Sequence, residues 1–131
     1  MLKIIIASGP VIVENNKVLL NKHGDTTFWK FCGGKVEDYG TNLIENARRE
    51  VKEEMGIEIK ILNENPFIAF TRKKTPEGKI DIILVHFLAE RIGEINQGED
   101  IREWAWHDTN SLPKDLGPNI LQALKHFKFV K

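Results

Sequence analysis

Apolar residues along this chain recur with two periods, two and about four, and the switches between them mark its elements. Ile4 to Val13 is rich in β-branched residues and reads as a strand. The apolar start, Met1 to Ala7, fits that strand better than a signal core, because no small-residue cleavage site follows it. Glu14-Asn15-Asn16-Lys17 is a polar turn, and Val18-Leu19-Leu20 forms the second arm of a hairpin. Gly24 to Thr27 is a loop, and Phe28-Trp29-Lys30-Phe31 is a short aromatic strand running into Gly33-Gly34. Leu43, Ala47, Val51 and Met55 then recur every four residues, predicting a helix over 43–55. Asn42 is its N-cap, with Glu45 three residues on as in a capping box, and Gly56 is its C′ residue. Ile57 to Leu62 reads as a strand. Phe67 to Arg72 and Lys79 to Glu90 read as two longer ones joined by a turn at Thr75-Pro76-Glu77-Gly78. Ile95 to Asp100 is a polar loop, Trp104-Ala105-Trp106 a short strand, Thr109 to Pro113 a capped turn, and Asn119 to Phe129 an amphipathic helix. Strands, helix, strands, helix suggest a mixed sheet with helices packed on it, an α/β or α+β sandwich.

Bulk properties narrow the class without fixing a function. A chain of 131 residues is expected to be one domain, spanning 1–131, with one core. It is 41% hydrophobic and 29% charged, so it is expected to fold and stay soluble. Lys plus Arg equal Asp plus Glu at 19 each, which gives no overall pull toward a nucleic acid polymer or a membrane. No apolar run approaches the ~20 residues of a membrane span. Cys32 is the only cysteine, so no internal disulfide forms, a thiolate metal site is disfavoured, and a cytoplasmic setting is expected. It reads as a small packed residue rather than a nucleophile. His23, His86, His107 and His126 lack metal-ligand spacing and read as structural.

The candidate chemistry lies in Arg49-Glu50-Val51-Lys52-Glu53-Glu54-Met55-Gly56-Ile57, downstream of Gly33-Gly34-Lys35. Residues three and four apart share a helix face, so Glu50, Glu53 and Glu54 crowd one edge beside the apolar stripe. Like-charged pairs at this spacing cost a few tenths of a kcal/mol each. A hard divalent cation turns that repulsion into coordination, and Mg²⁺ takes oxygen ligands while keeping waters and phosphates in its shell. The competing reading is a solvated helix face with an Arg49–Glu53 ion pair.

These residues resemble the Nudix box. Arg49 through Ile57 match its last nine positions, and Gly33-Gly34-Lys35-Val36-Glu37 looks like its opening. The length, flanking strands and Trp104-Ala105-Trp106 are similar to small MutT-type members, so the resemblance covers essentially the whole chain. Two departures stand out. Asp38-Tyr39 occupies the place of one residue, and Thr41 sits where the first box glutamate belongs, with Glu37 or Asp38 available to compensate.

The resemblance implies a Nudix-like α/β/α sandwich and metal-dependent cleavage of a nucleoside diphosphate linked to another group. Glu50, Glu53 and Glu54 would hold Mg²⁺ or Mn²⁺, with a backbone carbonyl at Gly33 beside them. Arg49 would orient a glutamate, Gly34 and Lys35 would meet substrate phosphate, and Glu99 or Glu103 would serve as an outlying base. Phe28, Trp29 and Trp104 are candidates to stack on a base, with core packing the alternative for each. The opening looks more like nucleoside triphosphatase and ADP-ribose hydrolase branches. A nucleoside triphosphate is therefore the first expectation and ADP-ribose or a nucleotide sugar the second. A non-catalytic nucleotide-binding module is the competing class, and exposed hydrophobics near the amino terminus leave room for a homodimer.

Overall fold

Residues 3–131 are described by a computed structural model; Met1 and Leu2, the start of the expected first strand, lie outside the described residues. The chain forms β1 (Lys3–Glu14), β2 (Lys17–His23), β3 (Gly34–Lys35), α1 (Leu43–Met55), β4 (Glu58–Ile61), β5 (Phe67–Thr75), β6 (Gly78–Ile92), β7 (Ile101–Asp108) and α2 (Ile120–His126). The sheet is mixed. Its order is β4-β6-β1-β2-β7, with β3 also on β1 and β5 also on β6. The β1–β6 pair is parallel, from Lys3↔Ile80 to Ile12↔Ala89, and the other strand pairs are antiparallel.

Alternation along the strands sends side chains to two separate cores. On one face Ile12, Leu19 and Ala89 pack with Val51 and Met55 of α1. On the other, Val11, Val18 and Leu20 pack with Ile120, Ala123 and Leu124 of α2. Helices on both faces of one sheet make the α/β/α sandwich expected from the element order. The stripe of α1 is fully buried at Ala47, Val51 and Met55, and burying a side chain of Val or Met size contributes about 1.5–3 kcal/mol.

The α1 boundaries coincide with its caps. The Asn42 side chain accepts the Glu45 N–H at 2.8 Å, whereas the Glu45 carboxylate turns to Arg48 at 3.4 Å rather than completing a reciprocal box. Gly56 takes the left-handed conformation (φ 70) and its N–H reaches the Lys52 carbonyl. Two further end carbonyls are satisfied by the segment before β7. Asn96 N–H meets Met55 O at 2.7 Å and Gly98 N–H meets Glu54 O at 2.8 Å.

Three expectations are corrected. Phe28–Phe31 is not a strand: Trp29 and Lys30 make single bridges, to Leu116 and Asn21. Trp29 is clamped by Asp115 O and Gly117 N–H, which leaves no continuous ladder. The strand around Trp104 runs the full Ile101–Asp108, because β2 offers partners from Lys17 to His23. The last helix is shorter, ending at His126, where Phe127 leaves helical geometry and Lys128 turns to φ 67.

Candidate active site

The site is built where the glycine turn crosses β1 and meets α1. Gly33 adopts φ 140, and a Cβ there would run into the Ser8 backbone, so only glycine lets the turn lie this close. At Gly34 a Cβ would collide with the Glu50 carboxylate, so the missing side chain is what seats that acid against the turn. Asn46, buried under the turn, fixes the relation. Its amide donates to Ser8 Oγ at 2.9 Å and to Gly34 O at 3.0 Å, and its carbonyl accepts from Arg49 at 2.8 Å. Ser8 Oγ in turn donates to Leu43 O at 2.8 Å. The sequence reading missed this Ser8–Asn46 brace. Asn46 stands one residue from the apolar stripe, but its burial shows only once the chain is folded.

The three helix carboxylates share an edge but have different surroundings. Glu54 is buried (7% exposed) and accepts the Gly33 N–H at 2.7 Å. Burial pushes its carboxyl up to about 7; the Gly33 N–H and Lys30 oppose this, while Glu50 and Glu53 add to it. Glu50 is also raised, mainly by burial, with Arg49 opposing and with Glu53 and Glu37 adding. Glu53 is the exposed member. Arg49 spans the edge, 3.0 Å from Glu50 and 3.3 Å from Glu53. Arg49 therefore pairs with Glu50 as well as with Glu53, where the surface-pair reading expected Glu53 alone.

Among the described residues no three acidic, histidine or cysteine side chains converge as a ready cage for an ion. Glu54 turns inward to Gly33, and Glu53 turns outward to Arg49. The donor chemistry nonetheless fits a hard divalent cation. It consists of carboxylate oxygens, and two of the carboxylates, Glu50 and Glu54, are held against their own ionisation by burial and by neighbouring acids. A divalent charge removes that penalty.

Thr41 does not face this edge. Its hydroxyl donates to Asp38 at 3.3 Å, and Asp38 also accepts the Gly40 N–H at 2.8 Å, so Asp38 closes the enlarged loop. Of the two proposed substitutes for the first glutamate, Glu37 is the one whose charge reaches Glu50. Glu99 follows Gly98, which is bonded to the last turn of α1, and therefore lies off that helix end, exposed. Glu103 is drawn elsewhere, to Lys22 at 4.0 Å.

Beside the glycine turn opens a cleft of about 340 Å³, whose lining includes Lys30, Gly33, Gly34, Lys35, Phe28, His86 and Asn119. Asn119 Nδ2 lies 2.6 Å from His86 Nε2. Burial holds the His86 imidazole down at about 4, so it stays neutral at physiological pH. Asn119 precedes α2, and its side chain makes no cap bond there. Of the aromatic candidates, Phe28 is 41% exposed in the cleft, Trp29 is buried, and Trp104 packs against the α1-side core. Cys32 is buried, takes a hydrogen bond from Asn21 at 3.4 Å, and has its thiol pushed well up by burial.

Comparison with known proteins gives the family. Residues 5–127 match the family model described as NUDIX domain. Over 131 aligned residues the chain is 32% identical to a protein of Methanocaldococcus jannaschii called ADP-ribose pyrophosphatase, covering 96% of this chain and 70% of the relative. The fold is similar to that of a MutT NUDIX hydrolase from Burkholderia pseudomallei (TM-score 0.76, 23% identity, 94% and 97% of the two chains). It is also similar to that of an ADP-ribose pyrophosphatase from Streptococcus suis (TM-score 0.67, 21% identity, 92% and 87%). The chain belongs to the Nudix family, whose members hydrolyse phosphoric anhydride bonds of nucleotides. No helix among the described residues is long and apolar enough to cross a membrane.

Proposed function

We propose that this chain hydrolyses a nucleoside diphosphate linked to a sugar, with ADP-ribose the favoured member of that class. The observation that carries the proposal is the buried Glu54 carboxylate, bonded to Gly33, which itself lines a cleft of about 340 Å³. The 32% identical relative called ADP-ribose pyrophosphatase supports taking ADP-ribose ahead of the nucleoside triphosphate expected first from sequence, which becomes the second reading.

Glu50, Glu53 and Glu54, with a backbone carbonyl at Gly33, hold Mg²⁺ or Mn²⁺ in this reading. The ion, when bound, neutralises phosphate oxygens and lowers the pKa of water. Arg49 holds Glu50 and Glu53 in place before the ion arrives. Lys30 and Lys35, in the wall of the cleft, bring positive charge to the diphosphate. Phe28 offers a face for the base, and the His86–Asn119 pair presents fixed polar groups in the same cleft. Glu99, exposed beyond the C-terminal end of α1, is the candidate to take a proton from the attacking water. Glu37, close enough to act on Glu50, is the candidate for the role left by Thr41.

The experiment is a panel of ADP-ribose, UDP-sugars and nucleoside triphosphates with Mg²⁺, scored by product identity. Release of AMP and ribose 5-phosphate from ADP-ribose at the highest kcat/KM supports the proposal. Preferred release of pyrophosphate from a nucleoside triphosphate replaces it with the second reading. Tight binding without turnover under any divalent metal supports a binding module.

A further inference from the structure

β5 is an edge strand whose apolar side is bare. Phe70 is 77% exposed and Ile68 52%, and Ile4, two strands away on the same sheet face, is 50% exposed. A long exposed apolar edge is a template for another strand. Which backbone groups it offers follows from the hairpin. Pro76-Glu77 joins Thr75 to Gly78, and the pair closing a two-residue loop exchanges its N–H and C=O across the hairpin. Odd-numbered residues of β5 therefore bond to β6, and Ile68, Phe70, Arg72 and Lys74 direct N–H and C=O outward.

We propose that β5 is the seam of a homodimer, in which two copies pair antiparallel about a two-fold axis at Phe70. Each Phe70 lies opposite its own copy, Ile68 opposite Arg72, and Lys74 opposite Pro66. Charge selects this register. Arg72 is neutralised by Asp81, whereas Lys73 and Lys74 are exposed. An axis at Arg72 would set each Arg72 against its own copy and beside the partner's Lys74, and an axis at Ile68 would leave only residues 67–69 of the strand facing each other. With the axis at Phe70, Lys74 comes beside the partner's Glu64. Glu64 and Pro66 border one groove on the α1 side of the sheet, the side on which Lys74 also projects. The lysines that would blunt this edge against other strands thus admit one partner in one register. A second copy supplies the complementary acid. The seam is independent of the hydrolytic reading.

The test is sedimentation velocity of the whole chain over a roughly hundredfold dilution series, with amide hydrogen exchange at both ends of it. The expected result is a species of twice 15.0 kDa that dissociates on dilution. Exchange at Ile68, Phe70 and Arg72 should slow as concentration rises, while Ala69 and Thr71 stay unchanged. Phe70→Pro removes an outward N–H and the phenyl ring at an edge position, and Phe70→Lys faces two ammonium groups across the axis; both should give a monomer. Glu64→Lys should weaken the dimer, and adding Lys74→Glu should restore it. A wild-type monomer at every concentration overturns the proposal. So does a dimer that survives Phe70→Lys, or one whose outward amides exchange independently of concentration.

Discussion

Each helix glutamate has a different environment, and each environment has a measurable consequence. The Glu54 carboxyl, pushed up to about 7 by burial, must lose its proton to bind a cation. Mg²⁺ affinity should therefore rise about tenfold per pH unit below 7 and level off above it. Calorimetric titration across pH checks this; a flat profile removes Glu54 from the ligand set. Glu53→Gln should lower kcat by about 100-fold or more, equal to roughly 2.7 kcal/mol of barrier, with the fold unchanged. Steady-state kinetics beside circular dichroism separates those two effects. The helix spacing made the trio legible in the sequence, but not the split within it. Adjacent helix positions point about 100° apart, and where the Gly33 turn passes decides which of Glu53 and Glu54 faces inward. The same holds for Asn46, whose partners Ser8 and Gly34 belong to other elements.

α1 is the element that carries the site, and its ends were legible because each has its own local signal. Asn42→Ala should cost about 1 kcal/mol, read as a lowered denaturation midpoint. The support beyond Gly56 was not legible. Gly98 presses on the carbonyls of Glu53 and Glu54, and a Cβ there would collide with the Glu53 backbone. Gly98→Ala should cost about 1–3 kcal/mol and lower kcat as well, because the displaced turn is the one bearing the glutamates. Thermal unfolding and a kcat measurement on one preparation check it; normal values for both contradict the packing described. The Phe28–Phe31 segment shows the opposite failure. Its composition favours a strand, but Trp29 is held by Asp115 and Gly117, more than eighty residues away in sequence, and tertiary contacts override propensity.

Over the whole molecule, alternation and the α1 stripe made the two-faced sandwich legible. The parallel β1–β6 pair, which joins residues far apart in sequence, was not, and neither was the cleft it lines with His86 and Asn119. Two buried groups there act oppositely on stability. His86, held down to about 4, leaves the folded state binding fewer protons than the unfolded chain, so stability falls as pH drops below about 6.5. Glu54, raised to about 7, makes the metal-free folded state bind more, so stability falls as pH rises from about 4.5 toward 7. Glu54→Gln removes only the second effect. Between pH 6.5 and 5 the metal-free variant should lose stability on acidification faster than the wild type, by about 1 kcal/mol per pH unit; parallel urea-unfolding profiles contradict this. If the acidic edge of α1 grips a divalent ion to cut a phosphoanhydride, the Mg²⁺ dependence of ADP-ribose hydrolysis must differ between wild type and Glu54→Gln. Wild-type turnover that rises with Mg²⁺, vanishes with chelator and needs far higher Mg²⁺ in the variant is the result predicted. Turnover indifferent to chelator, or an identical Mg²⁺ dependence in both proteins, would contradict it.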